Sequence, residues 1–219
     1  MTPALQALII DGYNQESRDE FDSIGMTKAY DLYKKMLLQE IPNAKIDVFF
    51  PSDDQEKLPQ HISQYQVVLW TGCNLTVYNT KEARVRRQID LARSAFELGI
   101  PSFGSCWGIQ IATVAAGGSV HSHPKGREMG VARKISLTTT GENHPMYRGK
   151  QKVFDAFISH DDEVTKLPRN SLLLAGNDYT IADIATFPWI ARHKWHDIGL
   201  NKFNNLKRWY AEISKREAV

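Results

Sequence analysis

Cysteine is nearly absent. The 219 residues hold two, Cys73 and Cys106, too few for a disulfide framework and without the paired Cys/His spacing of a structural zinc site. Charge of one sign is lacking too. Twenty-seven basic and 25 acidic side chains leave a net charge of +2, which supplies no field for nucleic acid or a membrane surface. No apolar run approaches the roughly 20 residues of a membrane span. The opening "MTPALQALIIDGYN" has no basic region followed by a long apolar one, as a secretory leader would. These absences point to a cytoplasmic, soluble protein that uses neither nucleic acid nor membrane as partner. Pro, Gly and Ser form no linker cluster, no internal repeat occurs, and no motif asks for a cofactor or a metal. What is present is apolar mass. With 42% hydrophobic residues the chain can bury a core in one domain or slightly more. A thiol kept in a reducing compartment then serves either packing or chemistry.

The apolar residues alternate between two periodicities. "LQALII", "KIDVFF", "YQVVLW" and "IPSFG" read as buried strands, while "TKAYDLYKKMLLQE" reads as a helix. Between Lys81 and Leu98 the set Val85, Ile89, Ala92 and Phe96 falls at helical spacing. Strands separated by helices of this length imply parallel pairing with right-handed crossovers. Ligands in such sheets bind beyond the carboxyl ends of the strands, here the loops after "VVLW" and "IPSF".

"PSFGSCWGIQ", Pro101 to Gln110, lies at one of those ends and runs into the helical stretch "IQIATVAA". A cysteine between glycines at a sharp strand-to-helix turn matches a nucleophile elbow, whose small neighbours permit strained backbone angles that expose the side chain. The helix N-terminus that follows favours a thiolate and offers N–H groups to an oxyanion. A structural cysteine buried at a tight turn is the other reading of the same spacing.

"GSCWGIQ", with "WTGCN", "GREMGVARKI" and "FDAFISHDDEVTKLP", resembles the class I glutamine amidotransferases, particularly the free-standing ones similar to the glutaminase domain of GMP synthase, over roughly residues 5–176. The resemblance implies release of ammonia from L-glutamine through a thioester, with a Cys-His-Glu triad. It makes Cys106 the nucleophile and the backbone N–H groups of Gly72 and Trp107 the oxyanion hole. It gives Gln110, Ser159, His160 and Asp161 to glutamine binding, and implies a synthase partner to accept the ammonia. The expected fold is a flavodoxin-like α/β three-layer sandwich with a mostly parallel sheet. Cys73, beside the oxyanion glycine, has no role in that picture.

Two features depart from the family. Its Gln-x-His-Pro-Glu word, which follows two further strands, does not occur. The His-Pro pairs present, His123-Pro124 and His144-Pro145, lie upstream of "SHDD", and both read as turns. Instead of the family's last strands, "DYTIADIATFPWIARHKWHDIGLNKFNNLKRWYAEISKREAV" follows. This resembles the C-terminal helical domain of glutathione S-transferases over about residues 174–219. Thr180 and Asp183 stand at capping-box spacing, and Phe203, Leu206, Tyr210 and Ile213 make a helical stripe. The expectation is therefore a chimera, residues 1–176 being amidotransferase-like and residues 177–219 transferase-like helices. That tail packs directly on the sheet or pairs between copies as a homodimer. His160, His193 and His196 are the imidazoles left to replace the missing base. Three readings follow: a glutamine-hydrolysing enzyme, a catalytically silent fold that keeps a glutamine-sized pocket, and, more weakly, a glutathione S-transferase-like protein.

Overall fold

The structure, a computed structural model, describes residues 4–53, 61–124 and 126–176. The tail features (the Thr180–Asp183 cap, the Phe203–Ile213 stripe, His193 and His196, and any dimer through them) lie outside the described residues. The chain divides into two compact units. One holds the described residues of 1–122 with those of 162–170, and the other the described residues of 123–161 with 171–176.

The first unit is the α/β fold that the alternating pattern implies. Strands β1 (Gln6–Ile10), β2 (Lys45–Phe49), β3 (Val67–Trp70) and β4 (Ser102–Gly104) form a four-stranded sheet in the order β2-β1-β3-β4. Every pairing in it is parallel. Helices α1 (Gln15–Ser23) and α2 (Ala29–Glu40) connect β1 to β2, α3 (Ala83–Glu97) connects β3 to β4, and α4 (Trp107–Ala115) leaves β4. Parallel neighbours need such crossovers because a short turn cannot return the chain to the same end. The centre of the sheet is covered on both faces: successive residues Ala7, Leu8, Ile9 and Ile10 of β1 are all buried. That is why this strand reads as a continuous apolar run. Leu8, Ile10, Val68 and Trp70 share one core with Val85 and Ile89 of α3 and Trp107 and Ile111 of α4. A short antiparallel pair, β5 (Ser119–Ser122) with β8 (Asp162–Lys166), completes the unit. No helix among the described residues is long and apolar enough to cross a membrane.

The other unit carries an antiparallel sheet in the order β7-β6-β9, from β6 (Glu128–Leu137), β7 (Val153–His160) and β9 (Ala175–Gly176). A single turn of helix, α5 (Thr139–Glu142), follows β6, and the Thr138 side chain caps it by accepting from the Gly141 N–H.

Two details differ from the sequence pattern. Helix α1 was not expected, for it is mostly polar; the Asn14 side chain starts it by accepting from the Ser17 N–H. In α3, Val85, Ile89 and Ala92 are buried as expected, but Phe96 is 40% exposed, and Leu91 and Ala95 are buried instead. The buried stripe drifts around the helix because 3.6 residues per turn do not repeat evenly over four turns.

Asp11, fully buried after β1, ties the loops at this end of the sheet together. It accepts from the N–H groups of Tyr13 (3.1 Å) and Tyr30 (3.3 Å) and from the Thr71 hydroxyl (3.3 Å). Burial pushes its carboxyl above the ordinary value, against the opposing pull of those N–H groups, Arg18 and Thr71. Asp11→Ala removes the acceptor of the Tyr13 and Tyr30 N–H groups, while the Thr71 hydroxyl keeps the Gly72 carbonyl at 2.9 Å. The substitution is expected to lower the unfolding free energy in urea by at least about 1–3 kcal/mol with unchanged m. Asp11→Asn, which keeps an acceptor and has no charge to desolvate, is expected to lower it less.

Candidate active site

Residue 106 is where the backbone is most distorted near the sheet. Cys106 caps α4 at φ 51°, ψ −107°, a combination that L-residues avoid and that costs on the order of 1–3 kcal/mol. The residue is exposed while the next two, Trp107 and Gly108, are buried. Two glycines hold the turn, and they do so through close approach. A Cβ on Gly104 would lie 2.8 Å from Gly108 Cα and 3.1 Å from Trp70 Cβ; one on Gly108 would lie 2.8 Å from Trp70 Cβ. Strand β4, the start of α4 and the end of β3 are thus packed backbone against backbone, and the strained angle falls on the cysteine between them.

Trp107 is the first residue of α4, so its N–H has no intrahelical acceptor. Gly72 sits two residues beyond the end of β3, and Cys106 two beyond the end of the adjacent strand β4. Both therefore belong to the carboxyl end of the parallel sheet. Gln110, buried to 6% exposure, is one helical turn on from Cys106. The structure thus places Gly72, Cys106, Trp107 and Gln110 in the first unit. A thiol at a helix N-terminus, beside N–H groups without helical partners, is suited to attack a carbonyl and to hold the oxyanion that results.

Cys73 is a different kind of thiol. Burial pushes it up to about 12, with the backbone N–H groups of Leu75 and Asn74 opposing. Its Sγ donates to the Gly12 carbonyl at 3.1 Å.

Ser159, His160 and Asp161 fall in the second unit, and there the structure adds a residue that pattern reading missed. Glu128 lies opposite His160 in the β6–β7 register. One of its carboxylate oxygens is 3.2 Å from His160 Nε2 and the other 3.4 Å from His123 Nε2. Arg127, next to it, donates to Asp161 Oδ2 and to Ser159 Oγ, each at 3.3 Å. The only sequence signal for Glu128 is its place in "GREMG", and pairing across 32 positions cannot be read from spacing. His144 proves to be the turn residue expected, its Nδ1 accepting from the Met146 N–H.

A family model, glutamine amidotransferase class-I, matches residues 26–186. The chain is similar to a gamma-glutamyl-L-1-hydroxyisopropylamide hydrolase from a Pseudomonas species, 33% identical over 176 residues, which are 79% of this chain and 59% of that protein. It is also similar to the glutamine-hydrolyzing GMP synthase of Latilactobacillus sakei, 25% identical over 173 residues, 76% of this chain and 30% of that one. It therefore spans under two thirds of either relative. Among solved structures, a glutamine amidotransferase from Thermotoga maritima superposes with a TM-score of 0.60 at 16% identity, over 99% of this chain and 93% of that one, a likeness of fold.

The two thiols are expected to react differently. At about pH 8, iodoacetamide should alkylate Cys106 in the folded protein and spare Cys73, which remains protonated and half-buried until urea unfolds the chain. Peptide mapping by mass spectrometry checks this. Alkylation of Cys73 at the rate of Cys106 would contradict it.

Proposed function

The chain belongs to the class I glutamine amidotransferase family, and from that premise we propose that it hydrolyses a γ-glutamyl amide, L-glutamine being the simplest, through a thioester on Cys106. The observation that carries this reading is the elbow itself: an exposed cysteine in a strained conformation at the N-terminus of α4, braced by glycines that admit no side chain.

In the proposed reaction the Cys106 sulfur attacks the γ-carbonyl carbon and forms a C–S bond, and the carbonyl electron pair moves onto oxygen. The N–H groups of Trp107 and Gly72 stabilise that oxyanion, and the positive end of α4 adds to their effect. Collapse breaks the C–N bond, and the thiol's proton ends on the departing nitrogen as ammonia. Water then cleaves the thioester, its hydroxyl completing glutamate and its proton returning to sulfur. Gln110 is proposed to contact the substrate, and the resemblance extends that role to Ser159, His160 and Asp161. A synthase that takes up the ammonia is the partner this reading implies. The similarity to a protein named as a gamma-glutamyl amide hydrolase supports the amide class, and the similarity to a glutamine-hydrolyzing synthase supports glutamine within it. The two-part organisation, residues 1–176 and a helical segment at 177–219, is likewise a proposal, resting on sequence resemblance.

Ammonia release from L-glutamine tests the proposal. Wild-type protein is expected to release it, and Cys106→Ala to lose at least about a thousandfold of the rate while melting at a similar temperature, since no other group forms the covalent intermediate. Release undiminished in the variant would reject Cys106 as nucleophile. No release from the wild type on glutamine or on a substituted γ-glutamyl amide would favour the silent fold.

A further inference from the structure

A chain of buried polar groups runs behind the elbow, and neither the core nor the proposed chemistry accounts for it. The Trp107 indole Nε1 donates to Gln88 Oε1 at 2.8 Å. Gln88, fully buried on α3, turns its amide nitrogen toward Ser52 Oγ (3.4 Å) and the Arg84 carbonyl (3.2 Å). Ser52 donates to the Gly12 carbonyl, which also accepts from Cys73. All of these groups belong to the first unit.

The chain converges on Gly12. A Cβ there would lie 2.8 Å from Cys73 Cβ, 3.0 Å from Cys73 Sγ and 3.1 Å from Trp107 Nε1. One glycine therefore touches both side chains whose neighbourhood supplies the proposed oxyanion donors: Trp107 itself, and Cys73, bonded to Gly72. Gly12 follows β1, Cys73 follows β3, and the strand order reverses between β1 and β3, the position where open α/β sheets place their ligand crevice. Apolar packing alone would fill this space. A directed polar chain fixes orientation as well, because each buried donor has a defined acceptor whose loss is costly.

We propose that Cys73 and Gln88 are positioning residues for amide cleavage. Through the Gly12 carbonyl and the Trp107 indole, they hold the loop carrying Gly72 and the first turn of α4 in the arrangement that binds the oxyanion. This rests on the reading of Cys106 as an amide-cleaving nucleophile. It also gives Cys73 its role: a neutral thiol that donates a hydrogen bond and takes no part in the chemistry.

The test separates oxyanion formation from thiol reactivity. Amide hydrolysis passes through an oxyanion, whereas alkylation by iodoacetamide is a displacement at a saturated carbon and forms none. Cys73→Ala and Gln88→Met are expected to lower kcat for ammonia release from L-glutamine by about ten- to a hundredfold, with KM within about threefold of wild type. Alkylation of Cys106 in both variants should stay within about twofold of wild type, because the turn at Cys106 is braced by the packing of Gly104 and Gly108 against each other and Trp70, which neither substitution alters. Cys73→Ser, which restores a donor to the Gly12 carbonyl, should recover most of kcat. An active wild type whose kcat is unchanged in Cys73→Ala overturns the positioning role alone. So does a parallel fall in kcat and alkylation, or a Cys73→Ser variant no better than Cys73→Ala. A wild type that releases no ammonia defeats the amidase reading and this proposal with it. Should Gln88→Met fail to fold, the Cys73 pair decides.

Discussion

A cysteine at φ 51° and ψ −107° stays there only if both flanks are held, and here backbone packed on backbone holds them. Gly104 meets Gly108, and both meet Trp70, at separations that leave no space for a methyl group. Everything else at this end of the sheet depends on that contact. It fixes where β4 ends and α4 begins, and so aims the thiol outward while the next residue, Trp107, enters the core. A distortion worth on the order of 1–3 kcal/mol is small beside the burial of Trp107 and Ile111, each with 1% exposure or less. The core can therefore hold Cys106 in a conformation it would not choose.

The loops around the elbow are tied by polar contacts that apolar burial could not direct. Asp11 gathers Tyr13, Tyr30 and Thr71, and the Gly12 carbonyl gathers Ser52 and Cys73. Arg18, 4% exposed, pairs with Asp53 at 2.6 Å and lies over the Phe50 ring, 3.9 Å from its centroid. Through it α1 is fastened to the loop after β2. Buried groups of this kind are tolerated because each has partners, and each partner fixes a direction. The loops at the carboxyl end of the sheet are thereby cross-linked by directed contacts.

The sequence shows most of the first unit because parallel strands buried on both faces appear as apolar runs, and α3 as a periodic stripe. The elbow shows because glycine spacing is local. Helix α1 does not, since its one buried large side chain is Arg18, whose place is set by Asp53, 35 residues away. Gln88 and Cys73 look like an ordinary helix polar residue and a stray thiol until Trp107 and Gly12 are brought to them by the fold. Glu128 becomes visible only through its register with His160. Such contacts join residues far apart in the chain, where periodicity carries no information.

The central claim is that Cys106 meets the γ-carbonyl of a glutamyl amide. Its most direct test is to treat the protein with an electrophilic analogue of glutamine, with and without excess L-glutamine, and map the adduct by peptide mass spectrometry. The account predicts a single adduct on Cys106 whose formation L-glutamine slows. An adduct that forms elsewhere, or on Cys106 at a rate indifferent to glutamine, would contradict it.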